Sequence, residues 1–180
     1  QTDVCIIGAG PAGAAASLTL SQNNIHHTLI DSAIFPRHKP CGDIITSGVL
    51  RAMDLLDPEI LLALKSRKLV NPVWMTHIYP PNGKPISIDF LPFDRKEGEP
   101  SCYSLSRYDM DQVILEQVRK SKFATVYEGC RIMQVDTRSD QVILTSDQGF
   151  QIRAKLVIVA TGSSNNVLKQ FGLSVAKKDC

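Results

Sequence analysis

Between a continuous apolar run, Asp3-Val4-Cys5-Ile6-Ile7, and a stretch of small residues lies Gly8-Ala9-Gly10-Pro11-Ala12-Gly13. An unbroken apolar run of this length suits a strand buried on both faces of a parallel sheet. Gly8 then permits a tight turn, Gly10 lets a pyrophosphate approach the backbone, and Gly13 allows close helix–strand packing. Pro11 suits a first helical turn, where its missing N–H would have no partner. Ala14, Ala15 and Ala16 let the predicted helix, Pro11 to Gln22, lie close to the sheet. A second run, Thr28-Leu29-Ile30, ends at Asp31, where an acid can bind ribose hydroxyls. The N-terminus of the helix supplies positive potential for phosphates. Together these features predict a β-α-β unit that binds a dinucleotide.

The chain does not continue as plain alternation of strand and helix. A loop rich in Pro and charge, Phe35-Pro36-Arg37-His38-Lys39-Pro40-Cys41-Gly42-Asp43, is followed by predicted helices at Ser47–Leu56 and Pro58–Ser66. Val73–Tyr79 and Ile86–Phe90 alternate like strands and are joined through Asn82-Gly83, a hairpin signal. Residues 91–100 read as a polar loop. A helix over Arg107–Lys120 places Met110, Val113, Ile114 and Val118 on one face. Strands follow at Thr125–Tyr127, Cys130–Asp136, Gln141–Thr145, Phe150–Ile152 and Leu156–Ala160, three of them forming a meander. The last run ends in Ala160-Thr161-Gly162, a second close-approach glycine at a strand's carboxyl end. This interruption and second glycine favour FAD over NAD. The expected fold is therefore α/β, an FAD-binding Rossmann-like domain with a β-meander, interrupted by strands of a substrate domain. The expected boundaries are 1–69 and 102–180 for the FAD-binding parts and 70–101 for the start of the substrate domain.

Composition narrows the function classes. A chain of 180 residues can bury roughly 70% of its unfolded surface, so its core needs no disulfide or metal staple. Its 20 basic and 18 acidic residues are well mixed and leave a net charge of +2, which excludes a strong electrostatic case for nucleic acid. No apolar run approaches the roughly 18 residues that would span a membrane, and no signal-peptide pattern opens the chain. The 5 cysteines are odd in number and scattered, with no C-x-x-C pair. A disulfide framework or zinc site is not expected, and a reducing cytoplasm is. His26, His27 and His77 read as structural or exposed, so no metal site is expected. Trp74, Tyr79 and Phe90 are expected to pack the hairpin onto a sheet.

Four segments taken in order, D-V-C-I-I-G-A-G-P-A-G-A-A-A, F-P-R-H-K-P-C-G-D, S-R-Y-D-M-D and V-I-V-A-T-G, resemble the geranylgeranyl reductase family. That family belongs to the FAD-dependent oxidoreductases folded like p-hydroxybenzoate hydroxylase. The likeness covers essentially the whole chain, and Arg37-x-Lys39-x-Cys41-Gly42 is its most discriminating part. The sequence departs from the family's pattern after Asp43, where Ile44-Ile45-Thr46-Ser47 replaces the usual glycine-leucine and proline. The family's later Gly-Asp-Ala flavin motif is not in the chain, which begins at Gln1, so an N-terminal fragment is expected.

The resemblance implies roles residue by residue. Gly8, Gly10 and Gly13, with the backbone at Ala12, would line the FAD pyrophosphate, and Asp31 would hold the adenosine ribose. Arg37 would lie beside the phosphates. Cys41, Gly42 and the backbone at Ile44 would approach the flavin or its ribityl chain, with Cys41 also a candidate for the reductive step. Arg107 would touch FAD, Cys130 and Arg131 would meet the adenine through backbone atoms, and Gly162 completes the set. The implied activity is reduction of isoprenoid double bonds, with NAD(P)H as electron donor. The implied partner is a prenyl-lipid or other small-molecule substrate, and a lipid substrate would bring peripheral contact with a membrane. A flavin monooxygenase or halogenase of the same fold is the alternative, as is an FAD-binding fragment without turnover. The bland readings are simpler: Arg37, His38 and Lys39 as a solvated charge run, Cys41 as a small packed hydrophobe, and Arg107 paired with a nearby acid.

Overall fold

The structure, a computed structural model, describes residues 1–41, 43–89, 99–100, 102–164 and 166–173. In chain order its elements are β1 (Thr2–Ile7), α1 (Pro11–Gln22), β2 (His27–Ile30), β3 (Ile44–Ile45), α2 (Ser47–Leu56), α3 (Pro58–Ser66), β4 (Asn71–Val73) and β5 (Met75–Ile78). Then come β6 (Ile86–Asp89), β7 (Cys102–Ser104), α4 (Arg107–Lys120), β8 (Ala124–Tyr127), β9 (Ile132–Thr137), β10 (Val142–Ser146), β11 (Gln151–Val159) and α5 (Asn166–Gln170). They fall into two compact units, Gln1–Arg37 with Ile114–Cys180, and His38–Val113.

The first unit is built on a six-stranded sheet in the order β8-β2-β1-β11-β10-β9. The first four strands in that order run parallel, and β10 and β9 continue it antiparallel as a meander. β1 lies inside the sheet, with Val4 opposite His27 on one side and Leu156 on the other. Cys5, Ile7 and Ile30 share a core with Ile132, Leu144 and Ile152 of the meander and Val167 of α5. Val4 and Ile6 point to the opposite face by the two-residue period of a strand, and they are buried as well. Both faces of β1 are thus covered, which is why its sequence does not alternate. The chain adopts the α/β Rossmann-type fold with a meander that its sequence implies.

Burial accounts for one departure from expectation in this unit. Phe150–Ile152 and Leu156–Ala160 are not two strands but parts of one, β11. Its first half alternates, with Ile152 and Ala154 buried and Arg153 and Lys155 exposed, where it pairs with β10 and meets β1 only at Ala154. Its second half pairs with β1 and turns apolar, so the composition changes while the strand does not. Cys130 and Arg131 precede β9 rather than opening it.

The second unit holds a three-stranded sheet in the order β3-β7-β4 and a separate hairpin, β5 with β6. Within it α2 packs on α3 and on β3, which itself pairs with β7. Asp57 ends α2 and caps α3, accepting the Glu59 N–H at 3.0 Å, with Pro58 opening the new helix. The run from Val73 to Tyr79 is not one strand: at Trp74 the chain leaves the β7 ladder and enters the hairpin. Trp74 and Tyr79 do not pack onto a sheet; they are 51% and 72% exposed, and Ile78, Ile86 and Ile88 beside them are open as well. Phe90 and most of the expected polar loop lie outside the described residues. Among the described residues no helix is long and apolar enough to cross a membrane, and no group of three His, Cys, Asp or Glu side chains could hold a metal ion.

Candidate functional site

The glycine turn closes around backbone. A Cβ built on Gly8, whose φ is +106°, would lie 2.4 Å from the Ala160 carbonyl oxygen, and one on Gly13 would lie 1.7 Å from that of Gly8. These two glycines let the turn, α1 and the end of β11 meet. Gly10 is different. Its Cβ would meet only Arg37 Nη2, at 3.3 Å, so the surface above it is open for a ligand to approach. Gly10 also caps α1 without any side-chain hydrogen bond, and the first turn, where exposed Ala12 sits, carries no acid. Its amides and the helix dipole are therefore available to an anion.

The loop after β2 brings a cation to this turn. Asp31 Oδ2 accepts the Ala9 N–H at 2.6 Å and Oδ1 accepts the Ala33 N–H at 2.8 Å. The expected ribose acid is thus first a clasp on the glycine loop, with lone pairs remaining on both oxygens. Farther along, the Phe35 N–H donates to Glu128 Oε2 at 2.7 Å, and Gly129 and Cys130 donate to the Ala33 and Asp31 carbonyls. Glu128 is in turn paired with Arg119. After the cis Phe35–Pro36 bond comes half-buried Arg37, its guanidinium 4.8 Å from the Phe35 ring centre. Sequence reasoning passed over Glu128 because its partner lies 93 positions away.

An open glycine, an uncapped helix start, a neighbouring guanidinium and a carboxylate at the end of β2 fit the diphosphate and ribose of a dinucleotide. Gly162, with φ +64°, follows β11 beside Thr161, whose hydroxyl donates to the Ser164 carbonyl at 2.7 Å. Cys130 and Arg131 have both N–H groups engaged, by the Asp31 carbonyl and by Asp147 Oδ1. Burial pushes the Cys130 thiol up, and burial with Cys130 nearby pushes Cys5 up to about 12. Neither thiol is a nucleophile near neutral pH.

The other predicted residues form a cluster within the second unit. Cys41 is exposed, and its Sγ accepts from Arg107 Nη1 at 3.5 Å. Asp43, at φ +52°, accepts the Arg107 N–H on Oδ1 at 3.3 Å and the Leu105 N–H on its carbonyl at 2.8 Å. The C-G-D segment is therefore tied to S-R-Y-D at two points, both on Arg107, and to the preceding Leu105 at a third. Arg107 also pairs with Asp111, as the bland reading anticipates, yet it reaches the cysteine at the same time. Burial opposes the charge on Arg107, but its bonds to Asp111 and Cys41 outweigh that and hold it more firmly protonated. Ile44 is exposed, with its backbone in the ladder opposite Ser104. Gly42 lies outside the described residues. Asp111 was legible only as the i, i+4 neighbour of Arg107.

A parallel sheet with this glycine turn and acid defines a dinucleotide-binding protein. The family model described as pyridine nucleotide-disulphide oxidoreductase matches residues 2–179, and the chain belongs to that family of FAD-dependent oxidoreductases. It is 26% identical over 184 residues to menaquinone reductase of Mycobacterium tuberculosis, covering 96% of this chain and 40% of that protein. It is 27% identical over 195 residues to digeranylgeranylglycerophospholipid reductase 1 of Methanothermobacter thermautotrophicus, covering 99% and 43%. The crystal structure of p-nitrophenol 4-monooxygenase from Pseudomonas putida superposes with a TM-score of 0.80 at 20% identity, covering 96% of this chain and 44% of that one. The chain spans about two-fifths of the length of the curated relatives it matches.

Proposed function

We propose that this chain carries the FAD-binding part of an oxidoreductase that reduces isoprenoid, geranylgeranyl-type double bonds with electrons from NAD(P)H. One observation carries the reading: Arg107 donates to Cys41 while Asp43 holds the Arg107 N–H. This joins the most discriminating segment of the reductase resemblance to the segment that opens α4. The similarity to reductases named for digeranylgeranyl lipids and menaquinone supports it.

Gly10 and the first amides of α1 would receive the pyrophosphate, with Arg37 supplying a countercharge and Asp31 accepting from ribose hydroxyls. The bound flavin supplies the hydride chemistry. Cys41 and Arg107 would present a sulfur and a cation to the cofactor, while Asp43 and Asp111 keep them in place. A prenyl-lipid acceptor would bring the whole protein into peripheral contact with a membrane.

The test uses the whole protein, its flavin reduced by dithionite, and a prenyl-lipid acceptor without oxygen. A product heavier by two hydrogens per reduced double bond is expected. The likeness to a monooxygenase favours a second reading, in which electrons pass to oxygen. Oxygen uptake coupled to a hydroxylated or halogenated product, with no saturation, would establish that one instead.

A further inference from the structure

The Asp111 side chain has no exposed surface. A carboxylate in such a place is costly unless its oxygens are paired. Arg107, one helical turn earlier, meets it fork to fork: Nε donates to Oδ1 at 2.9 Å and Nη2 to Oδ2 at 3.0 Å. A bidentate pair fixes the plane of the guanidinium as well as its position. The third nitrogen, Nη1, is the one that reaches Cys41 Sγ at 3.5 Å. The backbone of the same arginine is held by Asp43 Oδ1, so Arg107 is anchored at both ends.

We propose that Asp111 is a positioning residue that acts on Cys41 through Arg107. Asp111 sets the guanidinium plane, and that plane aims Nη1 at the sulfur. The competing view is a buried ion pair that only stabilises the first turns of α4, and it forecasts no change at Cys41. The inference rests on the proposed function only for its bearing on turnover. The environment of the sulfur can be read with neither flavin reduction nor substrate.

The experiment measures the rate at which iodoacetamide alkylates Cys41 in the whole protein at neutral pH, with the site mapped by peptide mass spectrometry. A guanidinium beside a thiol favours the thiolate, which is the reactive form. Asp111→Asn keeps the shape but removes the charge and half of the fork. It is expected to slow alkylation about fivefold, and Arg107→Lys should do the same. The double variant should be no slower than either single one, since both act through one contact. Unchanged alkylation in Asp111→Asn, or effects that multiply in the double variant, would overturn the proposal. If asparagine prevents folding, Asp111→Leu takes its place, because an apolar side chain of similar size needs no partner there. The same slowing is expected, and an unaltered rate overturns the proposal again. Slowed alkylation in a protein that reduces no alkene would uphold the positioning role and sink the reductase reading. Alkene reduction with unaltered alkylation in the variants would do the reverse.

Discussion

A methyl group at Gly13 would sit 1.7 Å from the Gly8 carbonyl oxygen, and no rotamer can relieve that. Gly13→Ala is expected to cost about 3 kcal/mol or more by forcing α1 off the turn, measured by urea unfolding. Gly10→Val forecasts the opposite pair of results. Its side chain has space except toward Arg37, so the unfolding midpoint of the cofactor-free protein should hold while FAD binding disappears. Full FAD retention in Gly10→Val would remove the turn from the cofactor site. His27 offers a pH test. It is 2% exposed, with Nε2 2.6 Å from Ser17 Oγ and Nδ1 2.9 Å from the Ile25 carbonyl. Burial lowers its pKa below the ordinary 6.5, against a smaller upward pull from the Ile25 bond. The unfolded chain then takes up the proton more readily, so stability is complete above about 6.5 and falls as pH drops through that value. His27→Gln should flatten this dependence between about pH 5 and 7 in denaturation midpoints. An equal slope in wild type and variant would place the titrating group elsewhere.

The elements were legible in the sequence wherever their signal is local. α1 follows from Pro11 and its alanines, β1 from an unbroken apolar run, and α2 and α3 from the Asp57-Pro58 junction. β3 and β7, of two and three residues, were not legible, since each exists only through pairs such as Ile44 with Ser104. The short α5 escaped for want of a full period. The candidate site divides in the same way. The glycine turn and Asp31 lie within one β-α-β unit, whereas the bond from Arg107 to Asp43 spans 64 positions and that from Phe35 to Glu128 spans 93. The start of α4 gives a prediction at this scale. Asp43→Ala removes the acceptor for the Arg107 N–H and leaves a Cβ-bearing residue at φ +52° without an aspartate's local hydrogen bonding. A loss of about 1 kcal/mol is expected, seen as faster amide exchange in the first turn of α4. Asp43→Asn, which keeps an acceptor and tolerates that backbone, should lose only part of it. Equal exchange in Asp43→Ala and wild type would exclude the capping role.

For the whole molecule, cofactor and stability are linked. A ligand that binds only the folded state adds about 2.7 kcal/mol at a hundred times its dissociation constant. FAD added to the stripped protein should therefore raise the melting temperature progressively with concentration, whereas NAD at equal concentration should not. A larger response to NAD would reverse the choice of dinucleotide made from the second glycine site. The position of β1 between β2 and β11 also governs when that site can exist at all. On the ribosome the glycine turn emerges about 150 residues ahead of the Ala160 backbone that closes against Gly8. At about 5–20 residues per second, many seconds separate the two. During that interval β1 has only one of its two neighbours, so a nascent chain stalled before β11 holds the cofactor sequence without the wall that shapes it.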